Sequence, residues 1–417
     1  MRLVRCLLIA SSFVLAVHAY ADWPQFRGPS GLGIAPDKGV PTTWSGDKNV
    51  AWKTELPGPG ASSPIVVGNK VIVTCYTGYG LSKDEPGEQK DLKRHLLCID
   101  RANGKILWTR DVAAVLPEEP YRSYITLHGY ASSTPASDGT NVYAFLGKSG
   151  VFAFDLAGKQ VWQASVGTGT YYWGVGPSPL PYKDLLIINA STESDALVAL
   201  DKATGKEKWK SKGLGESWST PALVKLANGQ TELVVSGSHK VRGYDPETGN
   251  ELWHADVFNW YVCPSVTAHD GIVYTLQNSA AVAVRAGGRG DVTKSHVLWQ
   301  KKFGATVTSM VYQDGHVHWA NAGKAFCMKA DDGKEVFRET LKDGAEFYAS
   351  PVLADGKIYY TSRGDGVFVI DASSKFKLIA NNTLQPDTSI FNASPAVDRS
   401  QLILRSDRFL YCVGKAK

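Results

Sequence analysis

A Ser/Thr-Pro step recurs along this chain, and its spacing restricts the fold more than any other feature. It ends at Pro64, Pro135, Pro179 and Pro221, then at Pro351 and Pro395, with Pro264 and Met310 marking two degenerate copies. From Pro135 to Pro395 the copies lie about 43 residues apart, the length of a four-stranded propeller blade. Eight starts predict eight blades, so 417 residues form one ring rather than the two or three domains that length alone suggests.

The order within a unit is constant. An alternating strand such as PIVVG is followed by a turn, a second strand such as KVIVTCY, a third strand ending in Asp, a Gly turn and a last strand carrying Trp. The third turn is the sharpest signature: Asp100, Gly104 and Trp108 are matched by Asp155, Gly158 and Trp162, by Asp201, Gly205 and Trp209, and by Asp245, Gly249 and Trp253. Asp accepts hydrogen bonds from the turn backbone, and Gly takes the positive φ that a tight reversal needs. A Trp four residues later is expected to dock on a neighbouring blade with its N–H bonded at the edge. Cys98, Cys327 and Cys412 fall where other copies place Ala153, Ala199 and Gly243, which predicts a small buried side chain and does not require a disulfide.

The recurring A-x-D-x-x-x-G-x-x-x-W pattern resembles the pyrroloquinoline-quinone-like (PQQ-like) repeat family from about Ala51 to Lys415. The resemblance implies an all-β, eight-bladed β-propeller of four-stranded antiparallel blades. Some copies depart from it: Lys329 replaces the Asp and Phe337 the Trp of the sixth unit, an insertion precedes Trp299, and the seventh unit lacks the Trp. The eighth copy, Ala393 to Val413, stops before its fourth strand, while an orphan Trp strand runs from Asn49 to Leu56. Together they are expected to make one blade, so that an N-terminal strand closes the ring and leaves no open edge.

Residues 1–21 read as a signal peptide: two arginines, an apolar stretch from Cys6 to Val17, and Ala19-Tyr20-Ala21 before a cleavage predicted after Ala21. That makes the protein exported, periplasmic or extracellular. Residues 22–48 are expected to pack as an irregular strap and 49–417 to form the propeller. No later run is apolar enough for a transmembrane span, and a monomer is expected. Lys+Arg 45 against Asp+Glu 40, without a basic run, gives no footprint for nucleic acid.

The loops between second and third strands share one face with the blade-to-blade connections. Two insertions in the first unit, Thr77 to His95 and Ala113 to Tyr130, belong to that face. So does a set of aromatic residues just before the Pro steps, which could ring the axial mouth or merely pack the innermost strands. The ligand-binding candidates are His128, Tyr130, Trp173, Glu193, Trp218, His239, Tyr261, Tyr348, Arg363, Asp365, Phe391 and Arg408. No metal-binding spacing and no G-x-S-x-G elbow occurs, and the doublet Asp331-Asp332 reads as a turn. No catalytic residue and no metal ligand is assigned.

The family resemblance implies two kinds of function. Quinone dehydrogenases with this blade hold pyrroloquinoline quinone and calcium over the axis, with adjacent cysteines beneath the cofactor; this chain has no adjacent cysteines and mostly minimal connections. Scaffold propellers similar to the outer-membrane assembly factor BamB carry no cofactor and bind partner proteins through loops. The expectation is a non-catalytic periplasmic binding or scaffold propeller without a cofactor, whose partner is an envelope protein or a small-molecule ligand at the axial mouth. The alternative is a PQQ-dependent alcohol or sugar dehydrogenase, and a carbohydrate-related role is a third option.

Overall fold

The computed structural model describes residues 22–415, so the leader predicted at residues 1–21 and the cleavage after Ala21 lie outside the described residues. Eight antiparallel sheets follow one another around an axis. The first blade spans Ile65 to Ala113, the second Ala136 to Ala164, the third Leu180 to Lys212 and the fourth Ala222 to Asp256. The fifth spans Thr267 to Lys301, the sixth Val311 to Thr340 and the seventh Val352 to Asn382. The eighth joins Ala396 to Val413 with Val50 to Glu55, which pairs antiparallel to it with Trp52 opposite Cys412. The expected closure by an N-terminal strand is the observed one. Among the described residues no helix is long and apolar enough to cross a membrane.

The Asp and Gly of each turn signature do the work their chemistry predicts, while of the four Trp residues Trp253 departs from it and donates to Glu232 of its own blade. Asp100 Oδ1 accepts from the backbone N–H groups of Ala102 (2.8 Å) and Asn103 (3.2 Å), and Asp155, Asp201 and Asp245 repeat the arrangement. The following Gly has positive φ, and the Trp of the preceding blade lies flat against it. Gly205, at φ 72°, has Trp162 so close that an added Cβ would sit 2.6 Å from its ring. The Trp then donates Nε1–H to the carbonyl of the residue after the Asp or its replacement: Trp52 to Arg101 (3.0 Å), Trp162 to Lys202 (2.8 Å), Trp299 to Ala330 (2.9 Å). One buried aromatic and one hydrogen bond thus set each such seam, the bond contributing about 1 kcal/mol net.

The small residue of the third strand has a matching cause. Cys98 pairs with Trp108, Ala199 with Trp209 and Cys412 with Trp52 across the ladder, each at a bulge. At Gly243 an added Cβ would come within 2.2 Å of the Trp253 indole. The five described cysteines are all free.

Residues 22–48 cross the face opposite the loop insertions. Trp23 bridges to Val66 of the first blade, and Pro24 accepts from Ser137 N–H of the second. The buried Arg27 donates to Met310 O, to Val266 O (3.3 Å) and to Thr267 Oγ1 (3.1 Å), tying it to the fifth and sixth blades. Ile34–Ala35 adds a short parallel strand to the seventh.

Candidate functional site

The Ser or Thr of each repeated step stands on the innermost segment of its blade and faces the axis. Ser63 N–H donates to Thr134 Oγ1 (2.9 Å), Thr134 N–H to Ser178 Oγ (3.1 Å), Ser178 N–H to Thr220 Oγ1 (3.0 Å) and Thr220 N–H to Ser265 Oγ (2.9 Å). The series continues from Ser265 N–H to Ser309 Oγ (3.0 Å), Ser309 N–H to Ser350 Oγ (3.1 Å) and Ser350 N–H to Ser394 Oγ (2.8 Å). Ser394 N–H closes it on Ser63 Oγ (3.0 Å). The eight hydroxyls therefore form a closed hydrogen-bonded belt. The belt corrects the register expected for the fifth copy: Ser265-Val266 is its equivalent pair, and Pro264 lies one residue before the belt position.

Above the belt lies a cavity of about 210 Å³ on the axis. The chain is extended here, so residues two before the belt also face inward. They are small over the first three blades (Ala61, Ser132, Gly176) and large at Trp218 and Tyr348, which makes the cavity lopsided. Trp173 and Tyr261 complete the wall, 4.0 Å apart between centroids and nearly perpendicular, and Trp173 lies 4.8 Å from Trp218. Phe26 of the strap closes the far end.

The roof over the small side is the insertion between the first and second blades. Its turn Ser123–Leu127 brings Tyr124 against Trp173 (5.1 Å), and Leu127 and His128 line the cavity. The two insertions brace one another: Gln89 exchanges two hydrogen bonds with the Glu118 backbone (2.7 and 3.1 Å), and Glu118 is ion-paired to buried Arg94 at 2.6 Å. From the seventh blade and its connection to the eighth, Arg363 Nη2 (3.1 Å) and Asn392 Nδ2 (2.8 Å) both donate to Leu127 O. The insertion is thus a lid latched to the seventh blade and the connection after it.

Among the described residues that line the cavity there is no Lys, Arg, Asp or Glu. His128 Nδ1 lies 2.6 Å from Ser132 Oγ, and burial pushes its imidazole down to about 4, so the ring is neutral at pH 7. Burial likewise pushes the Cys263 thiol up to about 12. Arg363 stands behind the wall, over the Tyr348 ring at 4.4 Å and paired to Glu346 at 2.8 Å. The chamber is electrically neutral, with aromatic walls and a hydroxyl floor.

Of the candidates read from sequence, His128, Trp173, Trp218, Tyr261 and Tyr348 meet at this cavity, and Arg363 holds its latch. The others lie apart from it. Tyr130 packs with Tyr76, Tyr79 and Tyr121 at the base of the lid, because the insertion turns it away from the axis. Glu193 is buried beside a separate space of about 20 Å³ with Arg94 and Glu118; its Oε1 has no partner, and burial pushes the carboxyl up to about 8. His239 is a loop residue whose backbone receives Val257 and Phe258. Asp365 pairs with Lys342, Phe391 packs on Tyr411, and Arg408 lies over Phe409 beside Glu55. Sequence reasoning missed Phe26, Tyr124, Leu127 and Asn392, as well as the belt, whose signal was the Ser/Thr of the step itself. One further group, His254, Asp256 and Asp291, brings ligand atoms within 4.8 Å of one another at the outer edge of the fourth blade, where the Lys240 ammonium already lies 3.3 Å from Asp256.

A family model described as outer membrane protein assembly factor BamB matches residues 37–172, 148–296 and 288–408. Polyvinylalcohol dehydrogenase from a Pseudomonas species is 23% identical over 379 residues, covering 72% of this chain; the chain spans 55% of the length of that enzyme. Among solved structures, BamB from Moraxella catarrhalis superposes with a TM-score of 0.61 at 12% identity, covering 86% of this chain and 95% of that one. Quinohemoprotein alcohol dehydrogenase from Comamonas testosteroni gives 0.66 at 11% identity, covering 95% and 81%. These likenesses establish the fold and span both kinds of function. Pyrroloquinoline quinone carries three carboxylates. The lining offers no cation to receive them, no carboxylate to share a calcium, and Cys263 as its sole thiol among the described residues, so the residues present do not fit that cofactor.

Proposed function

The chain belongs to the BamB family of PQQ-type repeat proteins, and from that premise we propose that it is a non-catalytic binding propeller holding a small molecule in its lidded axial cavity. The observation that supports this reading is the neutral chamber itself: aromatic walls, a polar floor and a lid latched from the seventh blade and its connection to the eighth, without paired titratable groups among the described lining residues that would perform acid–base or hydride chemistry. In this reading the protein works outside the cytoplasm as a monomer, and its braced insertions offer a surface to an envelope protein.

Native mass spectrometry after incubation with a small-molecule extract tests the cavity. The expected result is a mass retained by the wild type and lost in Ala61→Phe, which fills the small side. Retention by both, or by neither, overturns the axial reading. The quinoprotein alternative is carried by the dehydrogenase relatives and is tested by adding pyrroloquinoline quinone with calcium. Saturable quinone absorbance changes with dye reduction by alcohols or sugars would replace the binding reading with an oxidoreductase.

A further inference from the structure

We propose that the axial ligand is an uncharged ring polyol, a single pyranose-type unit, seated with its hydroxyls on the Ser/Thr belt and its apolar face against Trp173 and Trp218; this rests on the binding reading above. Four observations converge on that chemistry.

The first is charge. No ionic side chain lines the chamber; behind its wall Arg363 is engaged by Glu346 (2.8 Å), Asn392 Oδ1 (3.0 Å), Leu127 O and the Tyr348 face, and buried Arg405 donates to Ser62 O (2.8 Å) and Ser62 Oγ. A carboxylate or ammonium entering here would be stripped of water without a partner, which a neutral molecule avoids. His128, kept uncharged by burial, does not alter this.

The second is the kind of hydrogen bonding the floor has left to give. Every belt oxygen accepts one backbone N–H, and among the described residues only Ser350 spends its hydroxyl hydrogen on a protein acceptor, Ser309 Oγ at 3.1 Å. The other seven hydroxyls keep their hydrogen, and all but Ser309 keep a free lone pair, so the floor both donates and accepts. Ligand hydroxyls, which do the same, match such a surface; a purely apolar ring would leave it unsatisfied, and a ring bearing only carbonyls would use half of it.

The third is shape. Indole and phenol rings present flat apolar faces with polar rims, suited to a ring that is apolar on its face and polar on its edge. The fourth is size: about 210 Å³ is below the range of drug-sized pockets and admits one ring rather than a chain. Phe26 below and the Tyr124–Leu127 turn above close off both directions in which a polymer would continue.

Tryptophan emission of the mature protein is titrated with methyl β-D-glucopyranoside, methyl β-D-galactopyranoside and myo-inositol as neutral probes, and with methyl β-D-glucuronide as the anionic counterpart of the first. A saturable change is expected for at least one neutral probe, with the glucuronide at least about tenfold weaker than the glucopyranoside. Thr220→Val should weaken the bound probe by about tenfold, and Thr220→Ser should restore it; because Thr220 Oγ1 also accepts Ser178 N–H, the melting transition of each unliganded variant is recorded beside the titration, and the loss of binding is expected at temperatures where the Val variant is still folded. Equal binding of the glucuronide, absence of saturation with every neutral probe, or indifference to Thr220→Val overturns the proposal. A mass retained by the wild type and lost in Ala61→Phe that is not a neutral polyol would leave the axial reading standing while removing this ligand class.

Discussion

Two seams of the ring solve the same joining problem with different chemistry. Between the second and third blades, Trp162 lies on Gly205 and bonds to Lys202 O. Between the fourth and fifth, the Asp–Gly turn is replaced by an insertion that runs through Gly290–Asp291 and pairs with the outer strand of the fourth blade. Trp253 turns inward there, fully buried, and donates to Glu232 Oε2 (2.7 Å) of its own blade. The same carboxylate receives Gly287 N–H (3.0 Å) and Arg289 (3.2 Å) from the insertion. The Trp is therefore a convenient joint rather than the source of the ring. What every seam shares is the belt bond near the axis, and the outer contact is free to change.

That contrast is open to attack, beginning at the largest effect. Deleting residues 50–56 removes the fourth strand of the eighth blade and exposes a hydrophobic edge; loss of the cooperative unfolding transition and aggregation are expected in calorimetry. Gly205→Ala forces a Cβ into the Trp162 ring at positive φ and should cost about 2–3 kcal/mol in denaturant unfolding. Glu232→Ala should cost about 1–3 kcal/mol in the same unfolding measurement by stranding the Trp253 and Gly287 donors. Gly213→Ala, also at positive φ but with open space around it, should cost about 1 kcal/mol or less. If the two glycine variants are equally costly, backbone strain and not Trp docking governs the regular seams.

Acid–base behaviour divides the buried titratable groups by sign. The Glu193 carboxyl is raised in the fold to about 8, above its unfolded value of about 4.3. The folded state therefore holds a proton that the unfolded state releases, and stability falls as pH rises through that window. His128 and His318 are lowered by burial to about 4 and about 3, so their contribution is lost as pH falls below about 6.5. Glu193→Gln should raise the melting temperature at pH 8 by more than at pH 5. An equal rise at both would show that this carboxyl carries no pH dependence.

The turns were legible because each must spend an Asp and a Gly on a backbone reversal, and the Trp–Cys or Trp–Ala pairing followed from one bulge repeated in each ladder. The belt was visible as a motif but not as a site: Ser and Thr in a repeat satisfy the turn reading as well as they satisfy an axial one, and only the positions of neighbouring blades distinguish them. The lid was least legible. Its latch ends on the Leu127 carbonyl, a backbone atom with no side-chain signature, and the rotation that moves Tyr130 out and Tyr124 in depends on how two insertions brace through Glu118 and Gln89.

Closure within the eighth blade also has a temporal meaning. The strand Val50–Glu55 is made long before its partner Phe409–Val413, and throughout that interval the first has nothing to pair with. A chain halted short of Phe409 would carry a finished stack of sheets with both flanks unprotected, and survival of the newborn protein then depends on whatever shields that early strand until Phe409–Val413 arrives.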